Sequence, residues 1–319
     1  MNQRLALNLA LRLTALAAGL AAIIGITYAA GIWLVPYTDA FDKWLLGWIN
    51  PDSYVPGLDQ FMRAATDYSN FLISLPLISW MICYGLYRLI RRRGKMILAG
   101  ILFTETIALG ILAAVGYIWP NKTYMGANVL LVIGIFVAFG GAAWLFYKMD
   151  DEAMRRFSLV FWLVLASVLT TTFAATNPIK DAVARPRPFN EANKPWNETV
   201  RNIPDELLRG ANSFPSGHTS GTFALLTPLF WFARSRKVRG GLFAWACLQG
   251  LTRVYTGAHF PFCVFMGGFL GFGIGTLFFF TLGGTRLVAV PVDVDPAEET
   301  RPEDDPAGDM GRQVLRPTG

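Results

Sequence analysis

Charge is scarce in this chain. Only 16% of its 319 residues are Asp, Glu, Lys or Arg, where a soluble domain carries about 25%. Apolar side chains make up 53% and aromatics 14%, with a mean hydropathy of +0.40, more apolar surface than one water-soluble core can hide. A soluble two-domain enzyme, which the length alone would suggest, is therefore excluded. Cysteine is equally sparse. Cys83, Cys247 and Cys263 all fall in apolar runs, and an odd count without paired spacing argues against a disulfide framework or a thiolate metal site. Histidine occurs only at His218 and His259. Two imidazoles without neighbouring carboxylate or thiolate ligands fall short of a zinc site, so no metal and no cofactor is expected.

What the chain has instead is a series of apolar runs long enough to cross about 30 Å of hydrocarbon. Eight segments qualify: 13–36, 70–90, 97–119, 127–147, 157–176, 217–233, 240–257 and 262–283. The first exceeds the length of a signal-peptide apolar core and has no convincing cleavage site, so it reads as a retained helix. The expected fold is an all-α, polytopic integral membrane bundle of about eight transmembrane helices. Segment 262–283 repeats glycine at Gly267, Gly271 and Gly275, a small-residue face suited to internal helix packing. Between the first two runs, 37–69 places Trp44, Trp48 and Tyr54 among polar residues, as a passive interfacial stretch on the outer surface would.

Sidedness follows from the basic loops, which resist translocation. Arg88, Arg91, Arg92, Arg93 and Lys95 join segments two and three; Lys148, Arg155 and Arg156 join four and five; Arg234, Arg236, Lys237 and Arg239 join six and seven. Both termini are then cytoplasmic, and the loops after the odd-numbered segments face the other compartment, a periplasm if the membrane is a bacterial inner membrane. From Pro291 onward eight acids face three arginines, marking an acidic, disordered cytoplasmic tail. The chain divides into N-terminal transmembrane helices with the interfacial segment (1–156), a core (157–285) and the tail (286–319).

One outer loop, 177–216, breaks the charge rule with six basic residues, and the two histidines lie at the same membrane edge. His218 closes Phe214-Pro215-Ser216-Gly217-His218 at the start of a helix, where backbone N–H groups and the helix dipole favour an anion. His259 ends Arg253-Val254-Tyr255-Thr256-Gly257-Ala258-His259. Lys180, Arg187 and Arg253 suit phosphoryl oxygens, arginine bidentately and lysine as a point charge. The Ser216 hydroxyl and the Gly217 N–H can donate to the same oxygens. One imidazole can attack phosphorus while the other protonates the leaving oxygen.

Lys180-x6-Arg187-Pro188, Pro215-Ser216-Gly217-His218 and Arg253-x5-His259 together resemble the three motifs of the type-2 phosphatidic acid phosphatase family, whose enzymes are metal-independent lipid phosphatases related to vanadium haloperoxidases. The resemblance implies His259 as nucleophile forming a phosphohistidine, His218 as acid to the leaving group, and Lys180, Arg187, Ser216, Gly217 and Arg253 as phosphate ligands. The expected partner is the membrane and a phosphorylated lipid in it: undecaprenyl pyrophosphate, phosphatidylglycerol phosphate, phosphatidate or lipid A; no nucleic acid is expected.

The family motif places an aspartate four residues after its nucleophilic histidine, and here that position is Cys263. Such a carboxylate holds the imidazole tautomer; in the serine-protease case its loss costs about 10⁴ in turnover. Asp181 or Glu191 from the outer loop is a candidate substitute. A phosphotransferase, or a weakly active or non-catalytic lipid-phosphate binder, is the alternative function. Arg185 fits the motif spacing less well than Arg187 and is expected to face headgroups or solvent. Glu105, inside segment three, is expected to be a hydrogen-bonded structural group. The sequons at Asn121 and Asn197 are given no weight, because so short a pattern often occurs by chance.

Overall fold

The computed structural model describes residues 3–90, 92–114, 125–201 and 212–282. Among the described residues ten α-helices follow one another: α1 (Gln3–Trp33), α2 (Val35–Ile49), α3 (Leu58–Leu89), α4 (Lys95–Ala113), α5 (Met125–Lys148), α6 (Asp151–Leu169), α7 (Asn177–Val183), α8 (Gly217–Phe232), α9 (Arg236–Tyr255) and α10 (Pro261–Thr281). A π-helical stretch, Thr170–Thr176, carries α6 into α7. Among the described residues there is no sheet, only an isolated bridge between Pro186 and Asn212. The acidic tail, the sequon at Asn121 and the end of the 97–119 run lie outside the described residues.

Among the described residues six helical stretches are long and apolar enough to cross a bilayer: Ala6–Trp33, Leu58–Leu89, Lys95–Ala113, Asn128–Lys148, Asp151–Val183 and Pro261–Thr281. The chain is thus a multi-pass membrane protein. The two other expected spans are helices as well, but α8 has 16 residues and α9 carries Arg236, Lys237, Arg239 and Arg253. At 1.5 Å per residue α8 covers about 24 Å, short of a full crossing.

Local sequence explains where these helices start. Asp150 caps α6 by accepting from Ala153 N at 2.7 Å, with Asp151 and Glu152 in the first turn, all complementing the N-terminal dipole. Ser216 and Ser235 cap α8 and α9 in the same manner, and Pro261 opens α10, where no N–H is needed.

The glycine face of α10 packs inside the molecule. A Cβ on Gly267 would lie 2.7 Å from Ser216 O, and one on Gly271 would lie 2.1 Å from Ser220 O. Only glycine lets α10 lie this close to the backbone of α8, and that close approach ties the start of α8 to the start of α10. A buried core of Ile179, Phe214, Val254, Phe260, Cys263, Met266 and Leu270 sits beneath this junction.

The stretch 37–69 is not the passive anchor its composition suggests. Trp44 and Trp48 of α2 are exposed, but Asp42 and Leu46 on the opposite side are completely buried, and the rest of the stretch enters α3. Deep in α3 and α4, Glu105 accepts a hydrogen bond from Ser79 Oγ at 2.8 Å.

Candidate active site

Three separated pieces of chain meet at the ends of α7, α8 and α9. Lys180 Nζ donates to Asn212 O at 2.9 Å, and Asn212 Nδ2 returns a bond to Lys180 O at 3.0 Å, joining α7 to the approach of α8. Arg187 NH1 donates to Ala258 O at 3.4 Å, and Ser216 N donates to Cys263 O at 2.9 Å. Gly217 faces Lys180, whose Cε would sit 3.6 Å from an added Cβ. The expected site residues Lys180, Arg187, Ser216, Gly217, Arg253 and His259 are brought to one place, and His218 lies near enough for its charge to act on His259. His259, Arg253, Arg187 and Ser216 are buried, while Lys180 and His218 are half-buried.

The turn that carries His259 is held from both sides. Ala258 N and His259 N both donate to Arg253 O, at 3.0 and 3.1 Å. Gly257 sits at φ 72°, where a side chain is strained, and a Cβ there would come within 2.9 Å of Arg201 O. Asn50, just past α2, donates to Tyr255 O and Arg201 O at 2.7 and 2.8 Å and accepts from Arg201 N. From α3, Thr66 Oγ1 receives Arg253 NH1 at 2.6 Å. The N-terminal helices carry none of the motifs, yet they set the position of the third one.

His259 Nδ1 lies 2.7 Å from Ser213 O and 3.3 Å from Ser213 Oγ. A carbonyl can only accept, so Nδ1 carries the proton and Nε2 keeps its lone pair. Complete burial, together with the charges of Lys180, Arg187, Arg253 and His218, holds this imidazole well below 6.5, so it is neutral at pH 7. A neutral imidazole with its Nε2 lone pair free, set among cations, has the form that attack on a tetrahedral oxyanion would require.

The expected substitutes for the motif carboxylate do not reach it. Asp181 is exposed, and Glu191 pairs with Lys194 at the surface. Ser213 takes the acceptor role that they were expected to fill. Cys263 Sγ instead receives Ser213 Oγ and Arg185 NH1, each at 3.4 Å.

Arg185 also departs from expectation. Rather than facing headgroups or solvent, it is buried and pairs with Asp42 at 2.7 Å and with Asp39 at 3.2 Å, while its guanidinium lies 4.0 Å from the centre of the Phe260 ring. Burial pushes the Asp42 carboxyl above its ordinary range, against the pull of Arg185 and of the Phe262 N–H. Losing one partner of a buried ion pair typically costs about 3–5 kcal/mol, so the pair between Asp42 of α2 and Arg185 is structurally expensive to disturb. The sequence gives no local sign of Ser213 O or of this ion pair, since one is a backbone atom and the other joins residues 143 positions apart.

The described residues are helical, and they set a buried imidazole beside Lys180, Arg187 and Arg253, an arrangement that could bind a tetrahedral oxyanion. Residues 159–284 match the PAP2 superfamily. Among curated proteins, a Lipid A 4'-phosphatase of Bacteroides thetaiotaomicron is 33% identical over 120 residues, covering 37% of this chain and 52% of that protein. A protein named "Probable lipid phosphate phosphatase 4" of Arabidopsis thaliana is 34% identical over 124 residues, covering 31% of this chain and 40% of the relative. One named "Probable diacylglycerol pyrophosphate phosphatase 1" of Schizosaccharomyces pombe is 30% identical over 150 residues, covering 38% and 54%. The chain thus spans about half the length of the curated relatives it matches. No solved structure matches it.

Proposed function

We propose that the chain is a membrane lipid phosphatase, hydrolysing a phosphate monoester or pyrophosphate of a lipid through a phosphohistidine. The observation that carries this is the Nδ1–H of His259 held on Ser213 O at 2.7 Å, which leaves Nε2 as a lone pair among Lys180, Arg187 and Arg253. In the first step Nε2 attacks phosphorus and the P–O bond to the lipid breaks. His218, protonated, gives its proton to the leaving oxygen. In the second step water attacks the phosphohistidine, neutral His218 takes the proton from that water, and the P–N bond breaks to free inorganic phosphate. Lys180, Arg187, Arg253, Ser216 and the Gly217 N–H hold the phosphoryl oxygens throughout. These cations supply the charge compensation that a metal would supply elsewhere.

The substrate class follows from two supports. A chain that crosses the membrane several times and ends its helices at a cationic pocket meets a phosphate carried at a lipid headgroup. The matched relatives are named for lipid A, lipid phosphate and diacylglycerol pyrophosphate. Undecaprenyl pyrophosphate, phosphatidylglycerol phosphate, phosphatidate and lipid A are therefore the substrates to test. The distribution of basic loops favours cytoplasmic termini and a site in the 157–285 core on the opposite face, which in a bacterial inner membrane is the periplasmic face. Phosphate release from these lipids in mixed micelles, with a chelator present, tests the proposal. Release from at least one lipid that survives the chelator is expected; binding of the lipids with no release would make the chain a binder, and labelled phosphate moved to an acceptor would make it a phosphotransferase.

The state of His259 gives a pH dependence. A depressed pKa favours the neutral nucleophile, so activity is present above it and lost as pH falls through it. The acid limb of kcat/KM reports the free enzyme and is expected well below pH 6.5. A limb centred at 6.5 or higher would contradict a neutral His259 in the resting site.

A further inference from the structure

We propose that Asp42 of α2, acting through Arg185, Cys263 and Ser213, is the positioning residue that fixes the tautomer of His259. It rests on the phosphatase proposed above and adds to it a carboxylate from a helix that carries none of the three motifs.

The Ser213 hydroxyl has one proton and two neighbours that could take it: Cys263 Sγ at 3.4 Å and His259 Nδ1 at 3.3 Å. With the proton on the sulfur side, both Ser213 oxygens face Nδ1 as acceptors, Nδ1 keeps its hydrogen and Nε2 is free to attack. With the proton turned to Nδ1, that nitrogen would present a lone pair to Ser213 O at 2.7 Å, and the hydrogen would move to Nε2, blocking it. The carbonyl at 2.7 Å already favours Nδ1–H, and holding Cys263 Sγ as an acceptor secures that tautomer by keeping the competing hydroxyl proton away from Nδ1. A thiol sulfur is a weak acceptor, so its placement matters.

That placement comes from Arg185. The nitrogen of Arg185 that reaches Cys263, NH1, is the same one that donates to Asp42 Oδ2 at 2.7 Å. The other oxygen of Asp42 accepts from Phe262 N, also at 2.7 Å, in the first turn of α10. One completely buried carboxylate thus pins both the guanidinium and the residue next to Cys263, while the guanidinium lies against the ring of Phe260, the neighbour of His259. Asp42 also balances a buried positive charge that would otherwise oppose the cationic imidazole formed during attack. Outer partners that orient a reacting or ligating imidazole are typically worth about 10- to 100-fold.

Asp42→Asn keeps the size of the side chain and removes its charge; Asp42→Asn/Cys263→Asp then returns a carboxylate within reach of Arg185 and Ser213. With a soluble phosphate ester, kcat of the single variant is expected to fall about 10- to 100-fold with KM held within about threefold, because Lys180, Arg187 and Arg253 are untouched. The double variant is expected to recover most of the loss. Since the chain has only two histidines, ¹⁵N-histidine NMR in micelles reads the tautomer directly, independently of turnover: His259 protonated at Nδ1 in the parent, mixed in Asp42→Asn, restored in the double variant. An unchanged tautomer and kcat in Asp42→Asn, or a double variant no better than the single one, overturns the inference. Should Asp42→Asn fail to accumulate, the double variant decides alone against the parent: parental tautomer and near-parental kcat support the relay, and an altered tautomer refutes it. A parent that releases no phosphate ends the phosphatase proposal, while the NMR measurement still decides the role of Asp42.

Discussion

Replacing His259 by alanine is expected to lower phosphate release by roughly 10⁴-fold or more, the scale on which removal of a covalent nucleophile acts. Lys180 and Arg187 come from a separate stretch of chain and Arg253 from the last turn of α9, so these cations hold the phosphate without the imidazole and binding of the lipid substrate should change much less than turnover. The variant is also expected to lose an acid-labile phosphorylated form that the parent gives when quenched during turnover of ³²P-labelled substrate. Asparagine makes the sharper substitution. It can still donate an amide hydrogen to Ser213 O, as Nδ1 does at 2.7 Å, so the turn from Thr256 to Phe260 keeps its anchor while the nucleophile is gone. Activity retained by both variants would move the attacking atom elsewhere, and the half-buried His218 would be the first place to look.

The parts of this site that the sequence discloses are those built from side chains of distinctive chemistry at short spacing. Lys180 and Arg187 are one loop apart; Ser216, Gly217 and His218 share a helix start; Arg253 and His259 share a turn. Local chain geometry fixes each group, so pattern alone identifies it. The sequence is silent where the acceptor is a backbone atom. Ser213 O orients His259, but any residue at position 213 would offer the same carbonyl, and Cys263 drew attention to a missing carboxylate without indicating its replacement. Arg185 hides its place in the site for a related reason. An arginine in a basic loop looks solvated until a partner is found, and its partners Asp39 and Asp42 stand on α2, far away in sequence. The same blindness affected 37–69, whose tryptophans suggest an interface while its buried face, Asp42 and Leu46, becomes visible only when α10 is packed beside it.

Helix content was easy to read and helix role was not. Apolar periodicity and length locate α1, α4, α5 and α10 well. For α8 and α9 hydropathy competes with chemistry: these helices carry Ser216, His218 and Arg253 at their ends and are thereby shorter or less apolar than a span facing lipid on all sides. The glycines of α10 are explained by the same pressure, because only a close approach to Ser216 and Ser220 brings the start of α8 beside the loop of His259.

The second large effect separates the two histidines by leaving group. If His218 protonates the departing oxygen, His218→Ala should lose about 10²- to 10⁴-fold in turnover of a lipid phosphate monoester, the usual contribution of a positioned general acid. An alkoxide leaves poorly and needs its proton in the transition state; a nitrophenolate does not. The same variant should therefore lose far less with p-nitrophenyl phosphate in the first step, so that phosphohistidine still forms, and the deficit should pass to the second step, where neutral His218 is needed to take a proton from water. Quenched samples of His218→Ala turning over the aryl ester are then expected to hold more phosphorylated protein than the parent, while His259→Ala holds none. Equal losses for alkyl and aryl esters would instead make His218 a phosphate ligand, acting on both substrates through the oxygens they share, and the proton for the leaving group would have to come from the half-buried Lys180 or from water.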